Sequence, residues 1–292
     1  MSITSEVIGA TPRVDYRCAM IANVRPVGDL LREWRQRRRV SQLELALDAE
    51  ISAKHVSFVE SGRAQPSRDM VLKLAEHLQV PLRERNALLH AAGFAAVYAE
   101  RALTDPALST ARAAVELVLK GHEPFPAIAV DRHWSLVAAN AAVAPMLEGI
   151  DQSLLTPPVN VLRVSLHPSG LAPRIVNFVE WRGHLLERLR RQVESTNDQV
   201  LADLLRELRQ YPMQNEAEHS ARPPRDYAGV IVPFELRTPG GIMAFFGTTT
   251  VFGTPIDITL SELAVEAFFP ADEATARALR ATAHESPGSQ RL

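Results

Sequence analysis

The stretch from Ser41 to Ser67, SQLELALDAEISAKHVSFVESGRAQPS, constrains the chain more than any other. Ser41 supplies an N-cap, and Glu44 three residues on completes a capping box. Leu43, Ala46 and Leu47 then fall on one helical face, with Leu45 at its edge. Ala49-Glu50-Ile51 makes a turn, and Ser52 caps a second helix in which Val56 and Val59 point inward. Ala53, Lys54, His55, Ser57 and Phe58 are left on or near its outer face. Gly62 ends that helix, and Pro66-Ser67 starts another. These lengths are those of a helix-turn-helix unit, whose second helix is shaped for a DNA major groove.

The segment resembles the XRE/Cro-like regulators. Arg35, Arg38, Ser41-Gln42, Leu45-Ala46, Ser52, Val56-Ser57, Val59-Glu60, Gly62-Arg63, Pro66-Ser67, Leu72, Leu74-Ala75, Leu78 and Val80 carry the likeness, in order and without a gap. The resemblance implies a five-helix bundle that binds double-stranded DNA, as a homodimer on two half-sites about one helical turn apart. The candidate DNA-binding residues are Arg38, Arg39, Ser41, Gln42, Ser52, Ala53, Lys54, His55, Ser57 and Arg63. Lys54 suits guanine O6 and N7; Phe58 suits either a thymine methyl or packing. In the family the residue at Gln42 clamps a phosphate, and the residue at Arg35 pairs with the one at Glu60, a structural role. For Arg38 and Arg39 two readings stand open: phosphate contact, or a solvated helix end favoured by the macrodipole. One departure is Glu50, where the family's turn usually carries Gly, which relieves a strained backbone.

The remainder reads as a second domain. The 292 residues are 46% hydrophobic, enough for two cores. Residues 1–103 carry 15 Lys/Arg against 12 Asp/Glu, and residues 104–292 carry 17 against 22. A mildly basic head on an acidic body fits a DNA reader joined to something that does not touch DNA. The single cysteine, Cys18, leaves no disulfide within the chain and no Cys-rich zinc site. No apolar run approaches the ~18 residues of a membrane span, and no signal peptide is visible. No membrane insertion and a cytoplasmic location are expected. Residues 1–26 read as a flexible extension, and either Met1 or Met20 can serve as the natural start. The expected boundaries are a DNA-binding domain at 27–93, a linker at 94–107, a sensor domain at 108–283 and a tail at 284–292.

Within the second domain, strands are expected at Pro126–Asp131 and Ser135–Ala139, then a short helix capped by Asn140 and another over Asn160–Leu166. Two long helices follow, at about 174–193 and 198–211. Val230–Arg237 and Ile242–Thr250 are strands across a Pro-Gly-Gly hairpin, and Asp272–Ala283 is a last helix. The order is strand–strand–helix, helical insert, strand–strand, helix. The expected fold class is therefore α+β in two domains: a lambda-repressor-like helix-turn-helix bundle, then a PAS-like antiparallel sheet with a helical insert. The whole chain resembles the MmyB-like branch of the XRE regulators. This likeness rests on residues 81–86 (PLRERN), 91–94 (AAGF), 131–134 (DRHW), 138–140 (AAN), 252–255 (FGTP) and 268–272 (FFPAD).

No enzyme motif appears: no G-x-S-x-G elbow, no phosphate loop, no H-E-x-x-H pair. The nine histidines do not cluster. No catalytic residue, metal or cofactor is expected. The alternation Val230, Val232, Phe234, Leu236 and the stripe Phe178, Trp181, Leu185 outline an apolar ligand pocket between sheet and helices. Its candidate lining is Phe178, Trp181, Leu185, Val232, Phe234, Phe245 and Phe252. Few charges fall there, so a small apolar ligand such as a fatty acid or acyl chain suits it. Two alternatives remain: an antitoxin-like or scaffold protein whose second domain binds a protein partner, and an enzyme fused to a DNA reader.

Overall fold

A computed structural model describes residues 25–213, 232–253 and 255–285. Most of the expected extension, with Cys18 and Met20, the polar loop 216–226, Val230, and the tail from residue 286 lie outside the described residues.

The N-terminal domain is five helices: α1 (Val27–Arg37), α2 (Gln42–Asp48), α3 (Ala53–Glu60), α4 (Arg68–His77) and α5 (Leu82–Ala91). Serine side chains cap three of them: Ser41 on Glu44, Ser52 on His55 and Ser67 on Met70. Leu31, Trp34, Leu45, Val56, Val59, Leu74 and Leu88 close one core. Each large aliphatic side chain buried there contributes roughly 1.5–3 kcal/mol. Gly28 lets α1 lie directly on the end of α3, since a Cβ at 28 would stand 2.4 Å from the Val59 carbonyl oxygen. The turn between α2 and α3 places Glu50 at φ 53°, the left-handed conformation that Gly would adopt without strain.

The inward face of α2 differs from expectation. Leu45, Ala46 and Ala49 are buried, whereas Leu43 and Leu47 are 61% and 68% exposed. The capping box at Ser41 and a hydrogen bond from Gln42 to Glu60 set the phase of this two-turn helix. Period alone does not set it.

The C-terminal domain runs α6 (Ser109–Gly121), β1 (Ala127–Val130), β2 (Leu136–Ala139), α7 (Val161–Leu166), α8 (Phe178–Thr196), α9 (Gln199–Gln210), β3 (Phe234–Thr238), β4 (Gly241–Val251), α10 (Ile258–Ser261), β5 (Ala264–Pro270) and α11 (Glu273–Glu285). The strands form one antiparallel sheet in the order β2-β1-β5-β4-β3. It is PAS-like, with the helical insert α7–α9 between β2 and β3. The strand that sequence left unassigned, β5, lies at the centre, paired with β1 and β4. Its side chains alternate: Val265, Ala267 and Phe269 pack with Val115 and Leu119 of α6, while Phe268 joins the other face.

Three further expectations shift. β3 starts at Phe234, because Pro233 has no N–H for a ladder. The first long helix starts at Phe178, and Ile175 instead bridges to Leu236 at the sheet edge. Asn140 caps nothing with its side chain. It is buried, donating to the Leu119 and Phe125 carbonyls and accepting from the Ala127 N–H.

The segment expected as a linker is tied to both domains. Asn86 bonds the backbone of Val97 and Tyr98, and Ile258 N–H donates to the Ala99 carbonyl. Arg83 of α5 grips Glu262 with two bonds of 2.9 Å and reaches Glu100 at 2.6 Å. Next to it Arg132 lies 3.5 Å from Asp198 and 3.6 Å from Glu262. Burial pushes the Asp198 carboxyl up, but the His133 hydrogen bond at 2.9 Å and the charges of His133 and Arg132 outweigh it, leaving the group at about 2.

A carboxyl lowered on folding stabilises the protein above its unfolded value and loses that contribution as the pH falls through its folded value. Asp198→Asn is therefore expected to lower stability at pH 7 by about 1 kcal/mol, after allowance for solvent screening. Urea unfolding should show the gap between wild type and variant closing from about pH 4 towards about pH 2.

Candidate DNA-reading face and ligand cavity

The end of α3 is held by one buried carboxylate. Glu60 is 3% exposed. Arg35 donates to it through Nε (2.6 Å) and Nη2 (2.9 Å), and Gln42 through Nε2 (2.8 Å). Arg32 adds a bond of 2.8 Å to the Glu60 backbone carbonyl. Burial pushes the Glu60 carboxyl up, but these hydrogen bonds and the arginine charges hold it below the usual carboxylate range. α1, α2 and α3 thus meet at a single charge.

Around this anchor the candidate DNA residues separate. Ser52, Lys54 and Arg63 are exposed; Ala53, His55 and Ser57 are half-buried at the start and flank of α3. Lys54 Nζ sits 5.5 Å from the Phe58 ring centre, and Arg63 stands 5.9 Å from the same ring. Phe58 is thereby a half-buried platform that keeps two cations on the helix surface. Ser41 is engaged in its capping box. Gln42 gives one amide hydrogen to Glu60 and keeps the second. Arg39 is exposed at φ 58°. Arg38 takes a role that neither sequence reading foresaw. It donates to the carbonyls of Leu78 (2.9 Å) and Gln79 (3.0 Å) at the end of α4 and stacks over Trp34 at 5.5 Å. Its charge closes a helix terminus.

The second feature is a cavity of about 410 Å³ in the C-terminal domain. The sheet forms its floor through Ile128, Leu136, Phe234 and Phe268. α7 and α8 form its roof through Leu162, Val164, Trp181 and Leu185, and Val143 and Met146 close a side. Of the expected lining residues, Trp181, Leu185, Val232 and Phe234 reach the cavity. Phe178 and Phe245 are fully buried in the surrounding core instead, and Phe234 stacks on Phe245 at 6.0 Å, covering it. Phe252 packs with the α6 cluster on the opposite side of the sheet. β4 ends at Val251, so its alternation no longer governs the next residue.

Sequence reasoning missed the polar end of the cavity. Arg188 and Glu266 form a two-bond ion pair there, Nη1–Oε2 2.9 Å and Nη2–Oε1 2.6 Å, and Arg188 also donates to Thr249. The Arg188 guanidinium lies over Trp134 at 4.6 Å. His184 stacks on Trp181, whose Nε1 donates to Ser165 Oγ at 3.0 Å. Burial, then the Arg188 and Arg191 charges, push the His184 imidazole down, so it is neutral at pH 7. The available signal was the α8 spacing Trp181, Leu185, Arg188, Gln192, which keeps one helical face. Glu266 gave none, because β5 itself was unassigned. No helix among the described residues is long and apolar enough to cross a membrane.

Lys54 is exposed near the N-terminus of α3, the end that in helix-turn-helix domains generally meets base edges. Lys54→Ala is expected to cost about 1–3 kcal/mol on the cognate site and less on random DNA. Fluorescence anisotropy at fixed salt checks this; equal losses on both DNAs would make Lys54 a phosphate contact only.

A helix-turn-helix domain family model matches residues 26–88, and that of the MmyB-like transcription regulator ligand binding domain matches residues 111–281. No curated protein matches the chain. The first match covers the bundle built around Glu60, and the second covers the sheet, the helical insert and the cavity. The chain belongs to the MmyB-like transcription regulators, a DNA-binding helix-turn-helix domain joined to a MmyB-like ligand binding domain.

Proposed function

We propose that this regulator reads a near-palindromic operator as a homodimer, with α3 in the major groove, and that a small apolar ligand in the 410 Å³ cavity tunes its affinity for DNA. The observation that carries the reading is the position of α8. Its Trp181, Leu185 and Arg188 line the cavity. Further along, Gln192 accepts from Trp134 Nε1 at 2.8 Å and donates to the Arg132 carbonyl at 2.9 Å. At its end the Ser195 carbonyl lies 3.5 Å from Arg38 Nη2, and Asn197 donates to Glu33 of α1 at 3.1 Å. One helix therefore touches both the cavity and the DNA-reading domain.

A ligand acts through this route only if it binds one arrangement of α8 more tightly than another. The resulting change in DNA affinity equals the change in ligand affinity on DNA binding. An apolar chain suits the aliphatic and aromatic walls, and its volume falls in the usual range for small-molecule sites. Lys54, Arg39 and Arg63 supply the cationic contacts to DNA, with Ser52 and His55 beside the base edges. The site of action is the cytoplasm. Arg38, closing α4, acts as part of the junction.

Trp181→Ala is expected to weaken apolar-ligand binding at least about tenfold, with ligand-free DNA binding near that of wild type. Calorimetry and anisotropy on the same preparations check both. Absence of any ligand response in wild type would favour a domain that binds a protein partner. Nuclease footprinting tests the dimer: two protected half-sites about one helical turn apart are expected, and one half-site with monomeric stoichiometry overturns it.

A further inference from the structure

The polar end of the cavity restricts what kind of apolar molecule it takes. Resting on the ligand reading above, we infer that this cavity selects a chain with an uncharged, hydrogen-bonding end, a hydroxyl or amide, and discriminates against a free carboxylate. Arg188, the one cation in the cavity wall among the described residues, is already neutralised: Glu266, 8% exposed by side chain, takes two of its hydrogen bonds. Thr249 donates to the same carboxylate at 3.2 Å and accepts from Arg188 at 2.9 Å. Thr249 bridges the pair, the Trp134 ring roofs it, and Glu266 already balances the Arg188 charge.

A ligand carboxylate entering here would lose its hydration and meet no unpaired positive charge. It would also sit beside the Glu266 carboxylate, a like charge. Displacing Glu266 from Arg188 does not help, because it would leave a buried carboxylate without its partner.

An uncharged end finds partners. His184 is neutral and lines the cavity, and neither ring nitrogen has a hydrogen-bond partner among the described residues. It offers one donor and one acceptor. Ser165 lines the cavity too. Its oxygen accepts from Trp181, and its hydroxyl hydrogen has no acceptor among the described residues. Both groups flank Trp181, one stacked on its face and one bonded to its nitrogen. A hydroxyl or amide satisfies both without bringing charge.

The test is calorimetry of the full chain with decanol, decanamide and decanoate at pH 8, where decanoate is ionised. Decanol and decanamide are expected to bind at least about tenfold tighter than decanoate. Glu266→Gln, nearly isosteric, leaves the Arg188 charge uncompensated and is expected to narrow or reverse that gap. Decanoate binding wild type as tightly as the uncharged pair overturns this inference and leaves the cavity reading standing. None of the three binding to either protein overturns both.

Discussion

The Glu60 carboxylate is the interaction on which the DNA-reading domain depends. A charge this deeply buried is costly unless its hydrogen bonds are met. They are met by Arg35 from α1 and Gln42 from α2, while Glu60 itself ends α3. The three helices can satisfy the carboxylate only in one mutual arrangement. The same corner is where Gly28 brings α1 against the α3 backbone. α3 is therefore aimed by a charge and a missing side chain, with the apolar core supplying the bulk of the stability.

α8 carries that arrangement into the second domain. Nineteen residues long, it runs from the cavity to a C-cap, Asn197, that donates to Glu33 of α1. Around it the junction is polar: Arg83 with Glu262 and Glu100, Arg132 with Asp198, His133 with Asp198. Polar junctions of this kind leave relative domain motion open, unlike large hydrophobic ones. Burial pushes the Glu84 carboxyl up at the same junction, beside Arg132 and Arg83. The PLRERN and DRHW segments that carried the family resemblance turn out to build this junction and the Trp134 wall of the cavity.

The helix-turn-helix was legible because its signals are local. Ser41, Ser52 and Ser67 cap their own helices, and Gly62 at φ 72° ends α3. Each such signal acts within a few residues, so no distant part of the chain can change it. The hairpin at Thr238–Gly241 was legible for the same reason. Four of the seven expected lining residues reach the cavity, since Trp181 with Leu185 and Phe234 with Val232 carry plain periodicity.

What the chain alone determined was thus the bundle, the two-domain order and one apolar wall of the site. Only the tertiary structure decided that β5 is the central strand, that Leu43 and Leu47 face outward, and that Arg38 closes α4. It alone brought Arg188 against Glu266, 78 residues apart, and Arg83 against Glu262, 179 apart. Pairings of that kind leave no period or spacing in the sequence, because each partner is placed by a different element. A charged residue reads as solvated until its counter-charge arrives from across the fold.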